Sequence, residues 1–184
     1  MIIGITGTIG AGKGTVAEHL QEKGFTHFSV RDFLREELTA RGLEHNRDNM
    51  VVVANELRKN FGPAYIMEKL YAKAEVQGGN AVIESIRTSG EVDYLKSKAD
   101  FILLAVDADR QVRYGRVLLR GSSTDTITFE KFSEQEELES QGSDPWIQNL
   151  PNCIARADIV LSNNGTIPEL YAQVDAYLEN KKQS

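Results

Sequence analysis

A single cysteine, Cys153, in 184 residues cannot close an internal disulfide, and its apolar neighbours assign it to packing rather than to chemistry. With no covalent cross-link to protect, a reducing cytoplasm is the expected setting. No apolar run approaches the roughly 18 residues that a membrane span requires. Met1 leads directly into a short apolar segment, so neither a membrane anchor nor a signal peptide is expected. Basic charge is also scarce: 21 Lys and Arg against 27 Asp and Glu give a net charge of −6. No basic stretch is long enough to neutralise a phosphate backbone, which excludes nucleic acid as a general partner. His19, His27 and His45 have no cysteine or carboxylate constellation around them in sequence, so a metal centre built on histidine is not expected. Fixed-period repeats and low-complexity linkers are missing too, and the length fits one domain, as monomer or homodimer.

What the chain does have is glycine concentrated where chemistry can use it. Residues 7–15 read GTIGAGKGT, between the apolar β-rich run MIIGIT and a segment in which Val16, Ala17 and Leu20 fall at helical spacing. Strand, glycine loop and helix is the context of a phosphate loop. Gly7, Gly10, Gly12 and Gly14 let the backbone N–H groups of Thr8, Ala11 and their neighbours point inward, and the helix adds a partial positive charge at its start. Lys13 would reach the terminal phosphates of a bound polyphosphate. Where the commonest pattern continues with Ser or Thr after the lysine, this chain has Gly14 and only then Thr15, which displaces the candidate magnesium-ligating hydroxyl by one residue. No NKxD string is present, so a guanine-specific switch is not indicated.

Beyond this loop the pattern alternates. Strands are expected at residues 25–29, 81–86, 101–106 and 158–162, and helices at 31–41, from about 46 or 48 to 60, 64–76, 107–120, 129–140 and 167–180, with a further segment at 147–157. The uninterrupted FILLAV at 101–106 is the composition of a central parallel strand covered on both faces. Five strands alternating with helices predict a three-layer α/β/α fold with a mostly parallel sheet, whose ligands bind beyond the carboxyl ends of the strands.

Polar candidates cluster at those ends. After the second strand, Asp32 and Arg35 stand at i, i+3 on one helical face, as a second anion site or as an exposed ion pair. Arg58, in ANELRKNF, is a candidate phosphate or base contact, or an ordinary surface arginine. The third strand ends in Glu84, Ser85, Ile86 and Arg87: the carboxylate is placed to hold Mg²⁺ beside a phosphate loop, and the arginine to reach over a second anion. Arg113, Arg116 and Arg120 form a stripe at i, i+3, i+7, either facing a nucleotide or balancing the acidic helix that follows. Asn163, Asn164 and Gly165 make a tight turn after the last strand.

The GKGT ending resembles the adenylate kinase branch of phosphate-loop enzymes, and SVRDFLR is similar to the STGDMLR type of segment in adenylate kinases. DIVLSNNGT is similar to the ending of dephospho-coenzyme A kinases and of archaeal adenylate-kinase-related proteins. With GITGTIGAGKGTVA, FSVRDFLREE, ANELRKNFGP and VIESIR, the resemblance runs over nearly the whole chain and is closest to the small archaeal and bacterial relatives of those kinases. It implies a P-loop kinase fold with a small acceptor-binding helical flap at 35–76 and an abbreviated lid at 120–142, hinged on the GSSTD that begins at Gly121. ATP and Mg²⁺ are the implied cofactors. The implied roles are Lys13, Arg35, Arg87, Arg116 and Arg120 in catalysis; Gly7 to Thr15 with Asn163, Asn164 and Gly165 on the donor nucleotide; Asp32, Arg35, Arg58, Ser85 and Arg87 on the acceptor; and Thr15 and Glu84 on the metal. Related kinases show Asp then Gly where this chain has Glu84 and Ser85, and no arginine appears from 125 to 141 where a full lid returns two.

The expected reaction is phosphoryl transfer from ATP to a nucleoside monophosphate. Two other readings stay open: a hydroxyl acceptor with Asp32 as general base, as in dephospho-coenzyme A kinase or a nucleoside kinase, and an ATP-sensing module that transfers nothing.

Overall fold

A computed structural model describes residues 1–121 and 128–183. The expected hinge sequence after Gly121 therefore lies, except for Gly121 itself, outside the described residues. In chain order the elements are β1 (Ile2–Gly7), α1 (Lys13–Glu22), β2 (Thr26–Ser29), α2 (Val30–Ala40), α3 (Arg47–Phe61), α4 (Tyr65–Gln77), β3 (Ala81–Ile86), α5 (Ser89–Lys96), β4 (Phe101–Asp107), α6 (Arg110–Arg120), α7 (Phe129–Leu138), α8 (Leu150–Ala155), β5 (Ile159–Ser162) and α9 (Ile167–Gln183). The strand order is β2-β3-β1-β4-β5, and every pairing is parallel. Among the described residues no helix is long and apolar enough to cross a membrane.

Alternation along the central strands builds two cores. Ile3 and Ile5 of β1, Val82 of β3, and Leu104 and Val106 of β4 face α1 and α9, where Val16, Leu20, Leu170 and Val174 complete one apolar layer. Ile83, Ile86 and Leu103 face the other way, onto Leu38, Leu57, Ile66, Met67, Leu70 and Leu95. Because both faces are covered, β1 is buried at all six positions. Its carboxyl end, where Gly7 leaves the sheet, is therefore held rigidly between β3 and β4.

Several boundaries differ from the sequence expectation. Helix α5 was not expected, yet its start carries a capping box: the Thr88 hydroxyl accepts from Glu91 N, and Glu91 returns its carboxylate to Thr88 N. Asp107 ends β4 rather than starting α6, since its backbone continues the ladder with β5. The segment expected at 147–157 reduces to α8, capped by Asn149 with Pro151 in its first turn.

Arg58 requires a correction. Expected to touch the acceptor, it is sealed inside the protein, 1% exposed, with its Nε and Nη2 at 2.9 and 2.8 Å from Glu91 Oε1. The other oxygen of Glu91 accepts from the backbone N–H groups of Arg87 at 2.8 Å and Thr88 at 3.2 Å. One buried carboxylate thus joins α3 to the tip of β3, and Arg58 is a strut.

Removing one member of such a pair strands the other charge in the core, at a cost of about 3–5 kcal/mol. Glu91→Ala is expected to lower the unfolding free energy by about that amount in urea titration, against about 1 kcal/mol for Thr88→Ala, which removes only the cap.

Candidate functional site

The glycine loop closes over the carboxyl end of β1. Three of its glycines are required by shape: Gly7, Gly10 and Gly12 have φ of +143°, +75° and +104°, and a Cβ would run into the Val106 carbonyl oxygen at the first, the Arg113 carbonyl oxygen at the second and the Asn163 amide at the third. Gly14 differs from that expectation, for it is already helical and a Cβ there would meet nothing within 4 Å. Its missing side chain leaves open space, while the turn is made by the others.

Lys13, the first residue of α1, folds back so that Nζ donates to the carbonyls of Gly7 at 2.9 Å and Thr8 at 2.8 Å. Burial, and then the charge of Arg87, push its pKa down to about 8, with Arg120 acting the same way and Glu84 and Glu139 opposing. These residues share one electrostatic neighbourhood, although they come from β3, α6 and the end of α7.

Arg31 joins them. Burial lowers its pKa first, then Arg120, with Arg35 and Arg87 adding to the effect and Glu84 opposing it. Arg31 was not among the expected site residues, although it stands at i, i+4 from Arg35 on the same face of α2. Arg35 and Asp32 lie at 3.4 Å from each other with side chains 51% and 66% exposed, an open pair at the mouth of the site. Arg87 donates from Nη1 to Glu139 Oε1 at 2.9 Å and to Gln148 Oε1 at 3.1 Å. Arg47 reaches the same Glu139 oxygen at 2.7 Å. Glu139, Gln148 and Arg47 carried no local signal in the sequence: their partners come from distant segments.

Glu84 is tucked under this cluster, with His27 Nε2 at 3.2 Å. Burial works to raise its pKa, but the His27 contact and the charges of Lys13 and Arg31 outweigh it and hold the carboxylate below its ordinary range. His27 thus has a carboxylate neighbour that the sequence did not indicate, as does His19, which lies 2.8 Å from Asp175. Among the described residues, no three His, Cys, Asp or Glu side chains gather as a metal-holding group. A single ionised carboxylate beside a phosphate loop does suit Mg²⁺, which takes most of its oxygens from phosphates and water; Glu84, with the Thr15 hydroxyl on α1, provides donors of that kind.

Ser85 next to it has a φ of +77°, a left-handed conformation unusual for a residue with a Cβ. The ladder between β1 and β3 shifts at this point, Ile5 facing Glu84 and Thr6 facing Ile86, so Ser85 is a bulge that aims the strand tip.

The arginine stripe divides. Arg113 is buried against the back of the loop, donating to the carbonyls of Ala108 and Ile9 and pairing with Glu136, while Arg110 also reaches Glu136, at 2.8 Å. These two balance the acidic helix. Arg116 instead lies 3.4 Å from Asn163 Oδ1, and Arg120 acts on both Lys13 and Arg31. Asn163 donates through Nδ2 to Ala11 O at 2.7 Å, and Asn164 accepts from Asp109 N at 2.7 Å. A Cβ on Gly165 would collide with Glu169, the acid that caps α9 by accepting from Thr166 N. Thr8 likewise gives its hydroxyl to Asp107, at 2.7 Å. The turn after β5 is therefore a brace for the glycine loop.

Because the folded pKa of Lys13, about 8, lies below its unfolded value of 10.5, the unfolded chain holds a proton the folded one has lost between those values. Stability attributable to this group accordingly rises with pH through that window. A bound polyphosphate favours the protonated lysine, so ATP binding near pH 8 is expected to take up protons, and to weaken as pH rises further. Calorimetry in buffers of different ionisation enthalpy reads the uptake, which should vanish in Lys13→Met.

Comparison with known proteins gives the following similarities. Residues 3–141 match the AAA domain family. A UPF0200 protein of Thermococcus kodakarensis is 31% identical over 180 residues, covering 95% of this chain and 94% of the relative. One from Sulfurisphaera tokodaii is 31% identical over 184 residues, covering 97% and 96%. Among solved structures, TT1252 from Thermus thermophilus superposes with a TM-score of 0.65 at 23% identity, covering 98% and 97% of the two chains. A shikimate kinase from Aquifex aeolicus gives 0.57 at 16% identity, covering 100% and 99%.

Proposed function

The chain belongs to the AAA domain family and to the UPF0200 proteins, and from that premise we propose that it transfers a phosphoryl group from ATP to a nucleoside monophosphate. Its P-loop kinase-like fold supports nucleotide-dependent phosphotransfer. The acceptor is read from one observation: Arg87 and Arg120 act electrostatically on both Lys13 and Arg31, and Arg35 acts on Arg31. That is more positive charge than the end of one triphosphate needs.

An acceptor that is already an anion requires no strong base. The difficulty is to hold two repelling phosphates in line while negative charge spreads over the transferring group. Lys13 and the loop amides would hold the donor. Arg31, Arg35 and Arg87 would hold the acceptor, and Arg120 lies within reach of both fields. Magnesium, when bound, supplies charge neutralisation between donor phosphates; Glu84 and Thr15 are the residues suited to hold it.

A second reading, a hydroxyl acceptor, draws on Glu84, which is ionised and close to Lys13. Asp32, the base expected for that case, is exposed and faces Arg35 instead.

A coupled-ADP assay across nucleoside monophosphates, nucleosides and dephospho-coenzyme A separates the two readings by the acceptor that turns over. With a monophosphate acceptor, Lys13→Ala is expected to reduce kcat by about 10²–10³-fold. Arg35→Ala should raise the acceptor KM by about 10-fold or more, with little effect on the KM for ATP. Turnover of nucleosides alone would reject the monophosphate reading.

A further inference from the structure

Next to the arginine cluster, α3, the end of α7 and the loop before α8 enclose a cleft of about 280 Å³. Glu139 and Gln148 line it, and both also hold Arg87. The cleft therefore opens directly off the anion-binding tip of β3.

Its walls are of two kinds. Val52 and Leu138 flank it with aliphatic surface left 62% and 72% exposed, uncovered by any other part of the described chain. Of the residues that line it, Asn55, Gln135 and Glu139 each carry a buried acceptor atom, Oδ1, Oε1 and Oε2 in turn, with no hydrogen-bond partner. A buried acceptor without a donor costs about 1–3 kcal/mol, and native proteins keep few of them; here three belong to residues that line a single cleft.

Glu139 is the decisive one. The residue is 7% exposed; its Oε1 takes both Arg47 and Arg87, while its Oε2 takes nothing. A side-chain amide can be turned to present its NH2 instead, but an ionised carboxylate only accepts. A ligand here must bring N–H or O–H donors on one edge and apolar faces for the aliphatic walls. A sugar carries hydroxyls all round and leaves those walls unmatched, and a phosphate would meet the carboxylate. A planar nucleobase satisfies both demands. The volume, just below the roughly 300–1,000 Å³ of sites for whole drug-sized ligands, suits a base rather than an entire nucleotide.

We propose, building on the nucleoside monophosphate reading, that this cleft receives the acceptor's base, and that Glu139 selects bases bearing an exocyclic amino group. Adenine, cytosine and guanine present such a donor, whereas uracil and thymine present a carbonyl oxygen in its place, which the carboxylate repels.

Binding is the direct test, measured by calorimetry without ATP, so that the readout does not depend on transfer. AMP, CMP, GMP, UMP and dTMP are compared on the intact protein. At least one amino-bearing nucleotide is expected to bind 10-fold or more tighter than UMP and dTMP. Glu139→Gln, which replaces an acceptor by a donor, should reduce that ratio at least fivefold. Gln135→Leu, which leaves Arg47 and Arg87 with their partner, should reduce it as well without changing ATP affinity. Equal binding of all five, a preference for UMP or dTMP, or no binding by any of them would overturn the assignment, as would an unchanged ratio in both variants. Phosphorylation of some other acceptor in the coupled assay would still leave phosphotransfer standing, so the two failures are distinct.

Discussion

The structure turns on a lysine ammonium withdrawn from water at the open end of the central strand. Moving the pKa of Lys13 from 10.5 to about 8 corresponds to about 3 kcal/mol against keeping it charged in the loop. Two backbone carbonyls of the loop itself, from Gly7 and Thr8, accept its protons, and Glu84 and Glu139 supply opposing charge. The loop is thus preformed but electrostatically unsatisfied. Phosphate oxygens relieve that condition more fully than water does, because the surrounding guanidinium groups already disfavour any further cation.

Holding this much like charge together requires supports that do not themselves touch a ligand. Arg58 and Glu91 fix the tip of β3 from behind, through the backbone N–H of Arg87. Arg113 ties α6 to the loop through Ile9 O, and Asn163 ties the turn after β5 to Ala11 O. Each tie crosses from one parallel strand end to the next, so the site is precise only because the sheet is. The strained Ser85 belongs to the same logic: a left-handed residue costs about 1–3 kcal/mol unless its surroundings over-determine it, and here the strand pairs on either side do.

How far the sequence could be read depends on whether a residue's partner is local. Strand-loop-helix at 1–23, FILLAV and the alternating strands were legible because their periodicity is written along the chain. The cap of α5 was legible as well, since Thr88 and Glu91 stand three apart, but the segment between β3 and β4 was read without it. Arg58 and Arg31 show the limit. Both are arginines on helices beside the site, and nothing local distinguishes them except that Arg31 shares a face with Arg35. One is buried on a carboxylate 33 positions away and the other stands in the field of Arg120 and Glu84. Glu139 was one acid among many in an acidic helix; its role comes from Arg87, 52 positions away.

Charge distribution joins these levels. The chain carries a net charge of −6, yet Lys13, Arg31, Arg35, Arg87 and Arg120 outnumber Glu84, Glu139 and Asp32 around the loop. Among the described residues these cations gather beside the glycine loop against the sign of the net charge, and a field of that kind attracts anions to the place where it is focused. Within that place the carboxylates are not spare. Without Glu84 and Glu139 the cations would repel one another through a poorly screened interior. Their presence lets the positive side chains stay folded beside the glycine loop.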